Sequence, residues 1–315
     1  MDSTASSDTT LPWPTGVLPL TDWGVIRATG ADARSFLHGQ LTQDVLGLDS
    51  RARLAGYCTA KGRLLASLVM WREGPEAVCL ALSADLLPPV LKRLRMYVLR
   101  ARCVLEDATA ALPLWGLAGA PAVAEGGPAE PWTVQPLAGA GLRIVLPPAR
   151  LGGVAVPRAL QAGGEPPAAP ALDGAVWRGL EAASGVVRIV AATAEQFVPQ
   201  MVNLELVGGV NFQKGCYPGQ EIVARSQYRG TLKRRAFVLH AAAPAEPGQA
   251  VFHSEDPGQP AGQVALAGQL PGTGPVLLAE LKLAALESGS LHLGAADGPL
   301  LTRGELPYAI PAEQD

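Results

Sequence analysis

Lys214-Gly215-Cys216-Tyr217-Pro218-Gly219-Gln220-Glu221 concentrates more chemistry than any other stretch of this chain. Its one cysteine lies between glycines at 215 and 219, with a lysine two residues before it. Pro218 suits the first turn of a helix, and Gln220 to Arg225 are good helix formers. Cys216 is therefore expected just before a helix N-terminus. A positive helix end and the Lys214 ammonium both favour the reactive thiolate. Behind the octet, Arg225, Arg229, Lys233, Arg234 and Arg235 run with no acid among them. Such a run suits a carboxylate tail, a phosphate or an RNA backbone. Further upstream, Trp177 and Glu181 stand four residues apart, on one face if the segment is helical.

These groups need elements to hold them. A short strand over 24–28 and a helix from Asp32, closed by Gly39, are predicted first. Strand-like runs at 64–71 and 77–82 precede a helical spacing at Leu86, Leu87, Val90, Leu91 and Leu94, and 98–105 returns as a strand. That succession reads as a ferredoxin-like α+β unit. Asp173 is placed as the N-cap of a helix running to Ala183, closed by Gly185. Beyond Lys233, strand-like runs alternate with Pro-Gly and Asp-Gly turns, the pattern of an all-β barrel or sandwich. Residues 275–286 are read as a strand because of that company.

Bulk properties exclude several classes. Hydrophobic residues make up 48% and charged residues 17% of the 315, so the chain is globular rather than disordered. A net charge of −3 argues against a protein that coats nucleic acid. The four cysteines, 58, 79, 103 and 216, show no C-x-x-C spacing and suggest a reduced, cytoplasmic chain. Cys58, Cys79 and Cys103 sit in apolar, strand-like contexts and read as core. The histidines show no metal-ligand spacing, so no metal site is expected. No apolar run suits a membrane helix, and the N-terminus reads as a loose tail.

The octet resembles that of the bacterial YgfZ family, which is related to the T-protein of the glycine cleavage system. Phe36-Leu37-His38-Gly39-Gln40-Leu41-Thr42-Gln43-Asp44-Val45 resembles the family's N-terminal signature. Ala60-Lys61-Gly62-Arg63-Leu64-Leu65 and Pro199-Gln200-Met201-Val202-Asn203-Leu204-Glu205 resemble two further blocks. The resemblance implies an α+β, three-domain T-protein-like architecture. Its parts are a flexible tail at 1–14, a split folate-binding domain at 15–52 and 109–230, a ferredoxin-like insert at 53–108 and a C-terminal β-barrel at 231–315. It implies a tetrahydrofolate-binding accessory protein for iron–sulfur cluster assembly or repair and for tRNA modification, with iron–sulfur client proteins as transient partners. Cys216 would be the functional thiol, assisted by Lys214, in a loop shaped by Gly215, Tyr217, Gly219, Gln220 and Glu221. Glu181 would anchor the pterin beside Trp177, and Arg225 would assist cofactor binding. T-proteins carry an acidic pair after the Lys-Gly of the second block, where this chain has Ala66 and Ser67. Folate-dependent aminomethyl transfer is thereby the alternative, and an RNA-binding module a second.

Overall fold

The computed structural model describes residues 13–123, 127–137, 141–228 and 232–311. Two five-stranded antiparallel sheets and a closed barrel carry the chain. The first sheet has the order β1 (Gly16–Pro19), β7 (Leu114–Ala118), β10 (Val154–Ala162), β9 (Leu142–Leu151), β8 (Val134–Pro136). The second runs β3 (Arg53–Cys58), β4 (Leu64–Arg72), β5 (Ala77–Ser83), β2 (Trp23–Thr29), β6 (Val104–Asp107). The barrel closes β11 (Arg234–Ala241), β14 (Gly274–Lys282), β13 (Gly262–Leu270), β12 (Ala250–His253), β15 (Leu291–Leu293) and β16 (Leu300–Arg303).

The second sheet crosses the boundary drawn at residue 53. β2 is hydrogen-bonded between β5 and β6, although the sequence reading gives residues 23–29 to the split domain. Its composition explains this: Trp23, Val25, Ile26 and Ala28 are all buried, so both faces of the strand are covered, as a central strand requires. The strand expected over 98–105 is found at Val104–Asp107, the stretch that pairs with β2. The run 275–286 is β14 followed by a 3₁₀ turn over Leu283–Leu286.

Four helices complete the fold: α1 (Ala33–His38), α2 (Leu87–Tyr97), α3 (Gly174–Ala183) and α4 (Gln220–Tyr228). α3 begins as its sequence demands, with Asp173 accepting the Ala175 N–H at 2.6 Å. It ends before Gly185, whose φ of +66° only glycine adopts freely. α3 lies directly on β13. A Cβ at Gly268 would stand 2.0 Å from Gly179 N, and one at Gly179 would stand 2.6 Å from Gln269 O. Paired glycines thus let helix and barrel meet backbone to backbone, which fixes the helix that carries Trp177 and Glu181.

Candidate functional site

The thiol loop is assembled by a motif from the other end of the chain. Thr42 accepts the Gly56 N–H at 2.7 Å and donates to Gly209 O at 2.6 Å. The Gln43 amide donates to Gly208 O at 2.6 Å, and the Asn211 N–H donates to Thr42 O at 2.9 Å. Asn211 then accepts the N–H groups of Gln213 and Lys214 at 2.8 and 3.1 Å, an Asx-type turn that aims the loop. The Lys214 ammonium donates to Leu41 O at 2.8 Å and to His38 O, and lies 4.9 Å from the ring centre of buried Tyr217. The N-terminal signature and the octet are therefore two halves of one structure.

The second block closes the other side. Gly219 (φ +83°) and Gly62 (φ +71°) face each other. A Cβ at Gly219 would stand 2.4 Å from Thr59 O and 2.7 Å from Gly62 N. Gly219 O accepts from Ile222 and Val223 at 3.1 and 3.2 Å, so α4 starts at Gln220. Pro218 is consequently outside the helix, not in its first turn, because the left-handed Gly219 separates the two. The positive end of α4 begins four positions after Cys216, and Lys214 is turned to the carbonyls of His38 and Leu41, at and just after the end of α1. The hydrogen bonds of Lys214 thus go to backbone carbonyls of the N-terminal signature and not to the thiol. Cys216 itself is exposed, while Cys58, Cys79 and Cys103 are buried as free thiols.

Burial pushes Lys214 down to about 8, with the charges of Asp44 and Cys216 opposing. The unfolded chain keeps this proton up to the ordinary 10.5, so the contribution of Lys214 to stability rises from about pH 8 and levels off near 10.5. Competitive acetylation read by peptide mass spectrometry is expected to give Lys214 a midpoint near 8. A midpoint at the ordinary lysine value would show a solvated ammonium. His38, from the N-terminal signature, belongs to this cluster. Its Nδ1 lies 3.1 Å from Asp44 Oδ1, and burial together with Lys214 pushes its pKa down. Its Nε2 is 3.7 Å from where a Gly215 Cβ would stand.

Glu181 is elsewhere. It lines a small cavity of about 30 Å³ with Trp23, Ser67, Trp132, Arg158 and Arg188, and no residue of 214–221 borders it. Both carboxylate oxygens are occupied: Arg188 Nε donates to Oε1 at 3.0 Å and Nη2 to Oε2 at 2.9 Å. Arg188 also reaches Asp22 Oδ2 at 2.9 Å and Ser83 Oγ at 3.2 Å, and stacks 5.0 Å from the Trp23 ring centre. Burial alone would lower its pKa, but Glu181 and then Asp22 outweigh this and hold it above the ordinary value. Arg158, also buried, donates twice to Pro147 O, and desolvation lowers it to about 10.

The other expected site groups are placed as follows. Trp177 is buried but does not line the cavity; Arg158 covers its ring at 5.5 Å, and the aromatic walls are Trp23 and Trp132. Trp132 takes a left-handed φ of +71°, a strained conformation for its type. Arg225 is exposed and pairs with Glu221 at 3.2 Å, i to i+4 along α4, and does not line the Glu181 cavity. Within the basic run, Arg234 pairs with Glu280 and Arg235 with Glu205, while Arg229 lies outside the described residues. Arg188 itself was legible only as a lone charge inside the apolar run Val186 to Val190.

These features can be set beside known proteins. No protein-family model matches the chain. It is 34% identical over 236 residues to the tRNA-modifying protein YgfZ of Yersinia pseudotuberculosis serotype IB (strain PB1/+), covering 72% of this chain and 71% of that one. The chain belongs to the YgfZ family. The YgfZ protein of Edwardsiella ictaluri (strain 93-146) is also 34% identical, over 245 residues, with 73% of this chain and 72% of that one covered. Among solved structures, the glycine cleavage system aminomethyltransferase T from Bartonella henselae superposes with a TM-score of 0.69. It covers 93% of this chain and 85% of that one at 16% identity. The architecture is thus that of a T-protein, α+β with a C-terminal closed barrel of six strands. Among the described residues no helix is long and apolar enough to cross a membrane, and no three His, Cys, Asp or Glu side chains gather as metal ligands.

The residues around Glu181 are of the right kind for a pterin: an acid to accept its N–H groups and two indoles to stack on it. The space is not. A cavity of about 30 Å³ holds no more than about one or two waters, and Arg188 already bonds one site on each Glu181 oxygen.

Proposed function

We propose that this chain is a cytoplasmic, folate-binding accessory protein that supports assembly or repair of iron–sulfur clusters in client enzymes, tRNA-modifying methylthiotransferases among them. The observation that carries the reading is Cys216: its loop is held by two separate family motifs, 36–45 and 60–65, yet the thiol faces solvent. A sulfur so presented is offered to a partner protein, not to an internal cavity. Free cysteines and the absence of any disulfide among the described residues suit a reducing compartment.

Folate binding at Glu181 requires its small cavity to widen, which Arg188 allows by turning from Glu181 toward Asp22. Asp22, half exposed and already in contact with Arg188, is the acceptor available to keep it. Folate and thiol sites are then separate, since the Glu181 cavity borders no octet residue. Aminomethyl transfer is disfavoured on the same ground: Ser67 lines the cavity and accepts the Ile189 N–H at 3.0 Å, and Glu181 is the only carboxylate among the cavity's described residues.

Calorimetric titration with tetrahydrofolate tests the folate reading, with micromolar affinity expected, roughly 8 kcal/mol. Glu181→Gln should weaken it by about 1–3 kcal/mol, because a charged double acceptor becomes a mixed donor and acceptor. Equal affinities would remove Glu181 from the site. Repeating the titration with tRNA present separates the RNA-binding reading, which requires competition.

A further inference from the structure

A larger cleft, of about 400 Å³, lies where the turn after β3 and the segment 196–201 meet the barrel. It shares no lining residue with the Glu181 cavity. Its size is that of an ordinary small-molecule site. Arg63 enters from the Lys61-Gly62-Arg63 turn, and Arg234 and Glu280 from diagonal positions on β11 and β14, where Arg234 is opposite Lys282 and Glu280 opposite Ala236. Phe197 and Met201 form an apolar wall, and Gln263 adds an amide.

The charges do not balance. Glu280 is buried, and both its oxygens accept from Arg234 Nη1, at 2.8 and 2.9 Å. Burial pushes the Glu280 carboxyl up, against Arg234 first and Arg63 after it. One arginine already answers the acid, so Arg63 brings a second guanidinium and a surplus positive charge. Each guanidinium carries five N–H donors. Among the described residues, Arg63 spends its side-chain donors only on Gln196 O, through Nη1, and Arg234 spends its own only on Glu280, also through Nη1. The Nε and Nη2 edges of both remain for an oxyanion, the geometry in which arginine recognises carboxylate and phosphate.

We propose that this cleft binds a small organic oxyanion, held by Arg63 and Arg234, whose apolar body rests on Phe197 and Met201. The assignment is independent of the folate reading. Calorimetry on the full chain at low ionic strength, with adenosine 5′-monophosphate in one arm and 4-hydroxybenzoate in the other, distinguishes a phosphate ester from a carboxylate source. At least one is expected to bind with sub-millimolar affinity. Arg63→Gln should weaken it about tenfold or more, as loss of a charge-assisted contact does. Arg234→Lys keeps a cation beside Glu280, so the barrel stays folded, and should also weaken binding by losing the planar fork. Glu181→Gln and Cys216→Ser should leave it unchanged. Absence of binding by both probes up to about 10 mM, a range corresponding to less than about 3 kcal/mol, or equal binding by Arg63→Gln, overturns the proposal.

Discussion

Glu181→Gln is expected to destabilise the folded chain by about 3 kcal/mol, because it leaves a buried guanidinium without its main counter-charge. Asp22 and Ser83 still contact Arg188 and keep the loss at the lower end of what breaking a buried pair costs. Arg188→Gln should cost a similar amount by stranding the carboxylate. The double substitution should cost clearly less than the sum, since neither charge is then left alone. Urea unfolding followed by indole fluorescence suits the measurement, as Trp23 and Trp132 line the cavity concerned. Singles that cost under about 1 kcal/mol and simply add would mean the pair does not hold the cavity shut. The expected loss also bears on the folate titration. Affinities of wild type and Glu181→Gln must be compared where both are folded, or unfolding will pass for lost binding.

The second large contrast lies at the cysteines. Cys→Ser is nearly isosteric but exchanges a soft, ionisable sulfur for a hydroxyl. Cys216→Ser, on an exposed loop, should change stability by no more than about 0.5 kcal/mol and leave folate affinity intact. In cells lacking the native protein it should fail to restore iron–sulfur enzyme activity. Cys58 is the informative control, because it is fully buried and desolvation alone pushes its thiol up to about 12. Cys58→Ser should lose about 1–3 kcal/mol for a buried hydroxyl and yet restore activity at a temperature where it stays folded. Full complementation by Cys216→Ser at normal expression would leave the octet as a loop-shaping motif. Gly219, with no room for a Cβ beside Thr59 O, would then be its key member.

Local signals in the chain were dependable where a single element decides the outcome. Asp173 caps α3 and Gly185 follows it in a left-handed conformation, as residue type alone predicts. The barrel was readable from its turns. Failures came where tertiary contacts choose. β2 joins the second sheet because it is apolar on both faces, a fact that no boundary between motifs conveys. Trp177 and Glu181 do share a helix, but helical spacing says nothing of Arg158, which arrives from β10 and takes the indole's face. Lys214 stands two residues from Cys216 in the chain, yet its ammonium is claimed by carbonyls some 170 positions away. Arg188 held the most consequential surprise: nothing in its neighbours' types reveals that it bonds both carboxylate oxygens of Glu181.

The glycine pair Gly179 and Gly268 limits how the Glu181 cavity can ever open. A helix seated on a strand with no side chains between them has no clearance to roll and no cushion to slide on. α3 and the barrel behave as one solid, with Glu181 fastened to it as a fixed post. Any enlargement must come from the facing parts, namely Arg188 with the segment 186–190 and the indoles of Trp23 and Trp132. The moving half of the site is thus the half that carries the cation, and the half that carries the acid supplies the frame of reference.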